Sequence, residues 1–255
     1  MKVSVLASGS KGNSCYVKTD NGNYLIDIGT TCAYVEKQLK LLDEDIKQIK
    51  GIFITHTHAD HVNGLKVLIK KYNPIIYLTQ KMYEELSNLI KINNYYILGK
   101  NLDIESLTIT IIKTSHDTDD SVGYVFEENG HDFVYITDTG YINIKNHNKL
   151  ANKNLYVLES NHDVQMLMDN PKYPYHLKQR ILGDKGHLSN EDSAYYLSKF
   201  IGNKTKTIIL AHLSEHNNTS EVAIETLHRV LKDNDKECDT IIVAEQSKRT
   251  ELVEV

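Results

Sequence analysis

The sequence is poor in the features that mark exported, membrane-bound or disordered chains. Its 255 residues include only three prolines, Pro74, Pro171 and Pro174, and it has no low-complexity segment, short repeat or linker. One domain spanning residues 1–255, able to bury a large core, is the simplest organisation. Three cysteines, Cys15, Cys32 and Cys238, are an odd number at wide spacing. They make no disulfide framework, and no C-x-x-C pair is present for a zinc knuckle. No apolar run approaches the ~20 residues of a membrane span, and MKVSVLASGSKGN has no apolar stretch of signal-peptide length. These absences predict a cytoplasmic soluble protein with no membrane partner. Positive charge is not in excess: 29 Lys and Arg face 34 Asp and Glu, a formal net charge of −5. A nucleic-acid partner must therefore be met by a local basic patch or by metal ions.

What is present is an alternation of β-rich runs and helical patterns. KVSVLAS (2–8), SCYVKT (14–19) and NYLIDIG (23–29) read as strands, and the intervening DNGN is a hairpin signal. A helix is expected over 30–42, a strand over 50–55, a helix over 61–72, a strand over 74–79 and a helix over 79–92. Strands then dominate at 107–115, 121–130 and 131–138, with a further strand at 154–160. Strand 207–214, helix 219–233 and strand 240–245 close the chain. A helix over 189–202 has Ser189 as N-cap and Asp192 three residues on. Strands in two batches, each followed by strand–helix units, predict an α/β fold of two face-to-face sheets with helices outside.

The stretch ITHTHADHVNG (54–64) concentrates His56, His58, Asp60 and His61, four side chains able to bind a divalent ion. His56 and His58 are two apart, so an extended chain points them the same way. Asp60 and His61 fall at the start of the next helix and serve a second ion. Other donors sit just past strand ends: Asp27, His116, Asp138, Glu159 and His212. Ligands in α/β proteins gather at such carboxyl edges.

The order H-x-H-x-D-H, then histidine, aspartate and histidine, resembles the metallo-β-lactamase fold superfamily over essentially the whole chain. That resemblance implies a four-layer αβ/βα sandwich with the site along one edge of its sheets. It implies that His56, His58 and His116 hold one metal, that Asp60, His61 and His212 hold another, that Asp138 bridges them, and that Asp27 supports the site. ASGSKGNS (7–14), SHDTDDSVGY (115–124) and AHLSEHNN (211–218) are similar to the YycJ/WalJ subfamily, linked to 5′–3′ exonuclease action on DNA. ESNHD (159–163) and GHLSN (186–190) resemble the paired Glu and His motifs of ribonuclease Z and its relatives. On that likeness Glu159 and His187 assist phosphodiester cleavage, with Asp60 a proton acceptor and His162 a phosphate contact. The loop carrying Ser8, Ser10 and Asn13 is set against a phosphate.

Only 21 residues separate His116 from Asp138, and 73 separate Asp138 from His212. Neither gap admits the long tRNA-gripping arm of some ribonuclease Z enzymes or the inserted domain of the β-CASP nucleases. The resulting expectation is a hydrolase with two divalent ions, zinc, manganese or iron, acting on nucleic acid and on DNA rather than RNA. A small-molecule hydrolase of the same fold (cyclic phosphodiesterase, thioesterase or lactonase) shares every ligand, although the Glu159–His187 pair favours phosphodiesters. A non-catalytic binding module is a third reading, opposed by the intact ligand set. His131, His147, His176, His216 and His228 read as solvated surface residues. So do the lysines of KVLIKK (66–71) and KNHNK (145–149). Oligomeric state stays open.

Overall fold

The computed structural model describes residues 1–255. The chain begins β1 (Lys2–Ala7), β2 (Ser14–Thr19), β3 (Gly22–Ile26), α1 (Cys32–Lys40), β4 (Ile49–Phe53), α2 (Ala59–Val62) and α3 (Leu65–Tyr72). It continues β5 (Ile75–Leu78), α4 (Gln80–Ser87), β6 (Tyr95–Ile97), β7 (Asn101–Ile104), β8 (Leu107–Lys113), β9 (Val122–Glu128) and β10 (His131–Ile136). Then follow α5 (His147–Leu150), β11 (Leu155–Glu159), α6 (Val164–Asp169), α7 (Tyr175–Leu182) and α8 (Asn190–Phe200). The last elements are β12 (Thr207–Ala211), α9 (Ser220–Asp233), β13 (Thr240–Val243) and β14 (Val253–Glu254). No helix is long and apolar enough to cross a membrane.

The strands form two seven-stranded sheets, ordered β14-β1-β2-β3-β4-β5-β6 and β13-β12-β11-β10-β9-β8-β7. Both are mixed in the same way. The pairs β14–β1, β1–β2 and β2–β3 are antiparallel, and β3 through β6 run parallel. In the other sheet β7 through β10 are antiparallel, and β10 through β13 are parallel. Tight turns serve the antiparallel pairs. At Asn129 and Gly130 both residues have positive φ, 53° and 81°, as a two-residue hairpin turn with the twist of its strands requires. The parallel pairs need long crossovers, and α1 through α9 supply them.

The sheets pack through aromatic side chains. Phe53 of β4 stacks on Tyr77 of β5 at 4.4 Å and meets Phe126 of β9 edge-on at 5.1 Å. Phe126 in turn stacks on Phe133 of β10 at 5.0 Å. Each such ring contributes about 1.5–3 kcal/mol by leaving water. Helices cover the outer faces. Val35 and Leu39 of α1, Leu68 of α3 and Met82 of α4 are buried with the first sheet. Ala194 and Leu197 of α8, with Leu227 of α9, are buried with the second. This is the expected αβ/βα sandwich.

Two departures bear on the site. The expected helix over 61–72 is broken at Asn63–Gly64 into α2 and α3. A Cβ on Gly64 would lie 2.4 Å from the Thr30 carbonyl oxygen, and the Gly64 amide donates to the Ile28 carbonyl at 2.9 Å. The chain turns there so that the segment after β3 can press against it. The second departure is 163–187, where the sequence shows no element but α6 and α7 form. Both are too short, and too closely flanked by Pro171 and Pro174, for a helical period to show. Ser189 caps α8 as expected, its hydroxyl accepting from the Asp192 amide at 3.1 Å.

Candidate metal centre

β1, β3, β4, β8, β10, β11 and β12 all end at one edge of the sandwich, and the expected donors converge there. Asp27 follows β3, His56 and His58 follow β4, and Asp60 and His61 lie in α2. His116 follows β8, Asp138 follows β10, Glu159 ends β11 and His212 follows β12. The approach is close enough to exclude a side chain at Gly29, where a Cβ would fall 1.6 Å from the Asp60 carbonyl oxygen. Asp27, Asp138 and His212 take left-handed φ values of 60°, 56° and 58°. Such backbone costs on the order of 1–3 kcal/mol per residue and is concentrated at functional sites.

The donor atoms fall into overlapping groups, each within 4.8 Å of one another: His56, His58 and His116; Asp60, His61 and His212; and His56, His61 and Asp138. Asp138 also groups with Glu159, His187 and His212, so it stands between the clusters. Its Oδ2 lies 3.2 Å from His61 Nε2 and its Oδ1 3.1 Å from His212 Nδ1. His56 Nε2 and His212 Nε2 are buried with no hydrogen-bond partner, and Asp138 Oδ2 has only the poorly aligned His61 Nε2. An unsatisfied buried polar atom costs about 1–3 kcal/mol. Such atoms around one space fit a bound cation.

Supporting contacts aim the rings. His61 Nδ1 donates to Asp27 Oδ2 at 2.7 Å, both side chains fully buried. Asp27 also accepts the Thr55 amide at 2.8 Å and the Thr55 hydroxyl at 2.7 Å. His116 Nδ1 faces the Gly186 carbonyl at 3.2 Å, and His212 Nδ1 faces Glu159 Oε1 at 3.0 Å. In each case the ring is turned so that Nε2 faces the space between the clusters, where His212 Nε2 has no partner and His61 Nε2 meets Asn13 and Asp138. Glu159 Oε1 also accepts from His187 Nδ1 at 2.6 Å, and its Oε2 accepts the amides of Thr139 and Leu188. Its lone pairs are thereby engaged, which makes it an organiser of the two histidines.

The protonation states suit ion binding. Burial, aided by the neighbouring His61, holds His56 well below its ordinary value, and burial lowers His116 as well. Burial would raise Asp138, but His212 and His61 outweigh it and hold the carboxylate well below its usual range. Burial opposes charge on His61, yet Asp138 and Asp27 raise it well above the usual value. A divalent ion would replace that proton. For Glu159, burial is outweighed by His187 and His212, and the carboxyl is held down to about 2. For His187, burial is outweighed by Glu159, and the ring is pushed up to about 9.

A cavity of about 490 Å³ opens over these groups, and Ser10, His58, Asp60, His116, Asp138, His187 and His212 line it. Three expected substrate contacts turn inward instead. Ser8 is 3 % exposed, and its hydroxyl accepts the His212 amide at 2.7 Å. Asn13 is fully buried, with Nδ2 2.9 Å from His61 Nε2. His162 is 1 % exposed, both ring nitrogens lack partners, and burial lowers its pKa to about 4. Ser8 and Asn13 brace the site, and His162 is not among the residues that line the cavity.

The structure adds residues with little in the sequence to single them out. Asp117 Oδ1 lies 3.4 Å from His116 Nε2 and 3.5 Å from His58 Nε2, and its Oδ2 accepts from Arg180 Nε at 2.7 Å. Arg180, Tyr173, Lys11 and His216 line the cavity. His216 is exposed as expected, and the surface it occupies is the cavity rim. The run SHDTDD placed Asp117 beside a ligand; nothing comparable marked Tyr173 or Arg180, which arrive on the unforeseen α6–α7 segment.

Two mixed sheets, helices outside and a histidine–aspartate centre at the strand ends define a class. The beta-lactamase superfamily domain matches residues 23–212, and the chain belongs to that superfamily. Among curated proteins it is 37 % identical over 241 residues to exodeoxyribonuclease YycJ of Bacillus anthracis, covering 90 % of this chain and 89 % of that one. It is also 37 % identical to exodeoxyribonuclease WalJ of Streptococcus pneumoniae, covering 89 % and 86 %. The solved structure of the metallo-beta-lactamase fold protein YhfI from Bacillus subtilis superposes with a TM-score of 0.74, at 16 % identity and 98 % coverage of both chains.

Proposed function

We propose that this chain is a dinuclear metal-dependent phosphodiesterase that degrades DNA from a free 5′ end. Asp138 standing between two donor clusters, with the unpartnered buried Nε2 atoms of His56 and His212 beside it, is the observation that carries the reading. We assign His56, His58 and His116 to one divalent ion, Asp60, His61 and His212 to the second, and Asp138 to both. Nitrogen and oxygen donors of this kind suit zinc, manganese or iron. DNA as substrate is supported by two relatives named exodeoxyribonucleases, each 37 % identical over most of the chain. The 5′ polarity rests on the likeness of 7–14, 115–124 and 211–218 to that subfamily. Pairing of β1 with β14 supports reading residues 1–255 as one domain, and the buried free thiols of Cys15 and Cys32 suit the reducing cytoplasm.

Divalent ions in such a site supply Lewis acidity, which activates water and offsets phosphate charge. The chain does the rest. Asp60 faces the cavity and accepts a proton as water is activated. Glu159 fixes the His187 ring through Nδ1, which leaves Nε2 free toward the cavity. From there its one N–H donates a hydrogen bond to a phosphate oxygen or passes its proton to the leaving oxygen. Arg180 and Lys11 add positive charge along the cavity wall.

End-labelled linear DNA, covalently closed circular DNA, RNA and a cyclic mononucleotide, each with added zinc or manganese, test the reading. Linear DNA is degraded from its 5′ end while closed circles resist. Rapid cutting of circles would make the enzyme an endonuclease. Hydrolysis of the cyclic mononucleotide alone would transfer the assignment to small phosphodiesters.

A further inference from the structure

We propose that Tyr173 and His216 form a nucleobase-binding corner beside the metal centre, seating a base of the DNA strand whose backbone is cut. The inference rests on the nuclease reading above. Tyr173 lies in the turn between α6 and α7, and His216 lies in the loop that follows His212. Their ring centroids are 6.3 Å apart and their planes meet at 83°. Rings at that angle make an L: a base stacked on one face meets the edge of the other, the two arrangements aromatic quadrupoles favour. Both residues line the cavity that holds the metal-site side chains.

His216 also lines a second hollow of about 330 Å³, with Met166, Asn170 and Lys172. Asp169 lines it too, engaged by Gln165 at 2.8 Å. A small cyclic phosphodiester has no use for a second hollow on the far side of His216, whereas a strand that extends past the reacting phosphate can lie across both. Stacking platforms combined with scattered positive charge are how proteins hold single strands without reading sequence. Lys11 and Arg180, each paired with a carboxylate, supply that charge near the metal centre.

The corner is held in place before any ligand arrives. Asn170 Nδ2 donates to Asn217 Oδ1 at 2.6 Å, tying the Tyr173 turn to the residue after His216. Asn217 is 1 % exposed, and its carbonyl accepts the Asp163 amide at 2.8 Å. Lys178 Nζ donates to the Met168 carbonyl at 2.6 Å and locks α7 onto α6. A rim fixed in this way loses little freedom when a base seats on it.

The test uses Tyr173→Ala and His216→Ala, singly and combined, with Tyr173→Phe as the ring-preserving control. Binding of a 5′-phosphorylated, phosphorothioate-linked thymidine dinucleotide, which resists cleavage, is measured by calorimetry on metal-loaded protein. KM and kcat are measured on single-stranded DNA and on an abasic strand of equal length. The double variant should weaken dinucleotide binding and raise KM for DNA by roughly 10- to 100-fold, the size of one base–aromatic stack. Metal content and turnover of the abasic strand should not change, and Tyr173→Phe should behave as wild type. Unchanged dinucleotide binding in the double variant, or an equal loss on the abasic strand, would overturn the corner. A wild-type protein that binds the dinucleotide through these rings yet cuts no DNA would sink the nuclease reading and leave the corner standing. A wild-type protein that cuts DNA but does not bind the dinucleotide would do the reverse.

Discussion

Asp27 and His61 are joined at 2.7 Å, Oδ2 to Nδ1, with no solvent exposure of either side chain. Removing one partner of a buried pair strands the other, at a cost of about 3–5 kcal/mol. Asp27→Ala should lose that much stability in urea unfolding. It should also weaken ion binding at the Asp60, His61 and His212 group by roughly 10- to 100-fold, because the ring is no longer aimed. Asp27→Asn, which keeps an acceptor for Thr55, should lose less. Equal unfolding midpoints for wild type and the alanine variant would show that the pair holds nothing in place.

Elemental analysis should find up to two divalent ions per chain. His58 has a side chain 36 % exposed, so His58→Ala leaves the core untouched. That variant should retain about one ion and lose most activity. Chelation should lower the melting temperature, since an ion at 100 times its Kd stabilises the fold by about 2.7 kcal/mol. A melting curve indifferent to chelator and added metal would leave the donor clusters without their occupant.

His187→Gln should keep the fold and the metal content while lowering turnover of phosphodiesters by roughly 10²–10⁴-fold, the range of a lost general acid. Glu159→Gln should lower turnover to a similar degree and, unlike His187→Gln, also weaken metal binding, because Glu159 holds His212 as well as His187. Normal turnover by His187→Gln would remove this residue from the reaction.

Cysteine labelling reports on packing. Burial raises the Cys15 thiol, aided by Asp27, and raises Cys32 to about 11. A raised thiol pKa means less thiolate at any lower pH, so at pH 8 Cys32 is about one part in a thousand reactive. Alkylation of native protein at pH 8, read by mass spectrometry, should modify Cys238 first and reach Cys15 and Cys32 only after unfolding. Early labelling of Cys15 would contradict its place between the sheets.

The metal-site residues are legible because strand pattern and residue type coincide. GIFIT before His56, FVYIT before Asp138 and TIILA before His212 are apolar runs that end in a donor. A chain of this class has little other use for a donor there. The rim is not legible. Tyr173 lies in the turn between α6 and α7 and Arg180 on α7, helices whose 6 and 8 residues are too few to print a period. Ser8, Asn13 and His162 show the converse limit: residue type and neighbourhood suggest a phosphate contact, but whether a side chain faces in or out depends on backbone turns that local sequence does not specify. The split of α2 from α3 follows from a carbonyl contact between segments more than thirty residues apart.

Asp27, Asp138 and His212 have left-handed φ values, a conformation that aspartate, asparagine and histidine accept more readily than most residues and glycine accepts freely. The backbone thus filters which mutations can reach these positions. A β-branched replacement would remove the donor and also strain the turn. A glycine would remove the donor and relax it. In a lineage released from selection for catalysis, drift at these three positions should run toward glycine and asparagine, and the fold should outlive its chemistry.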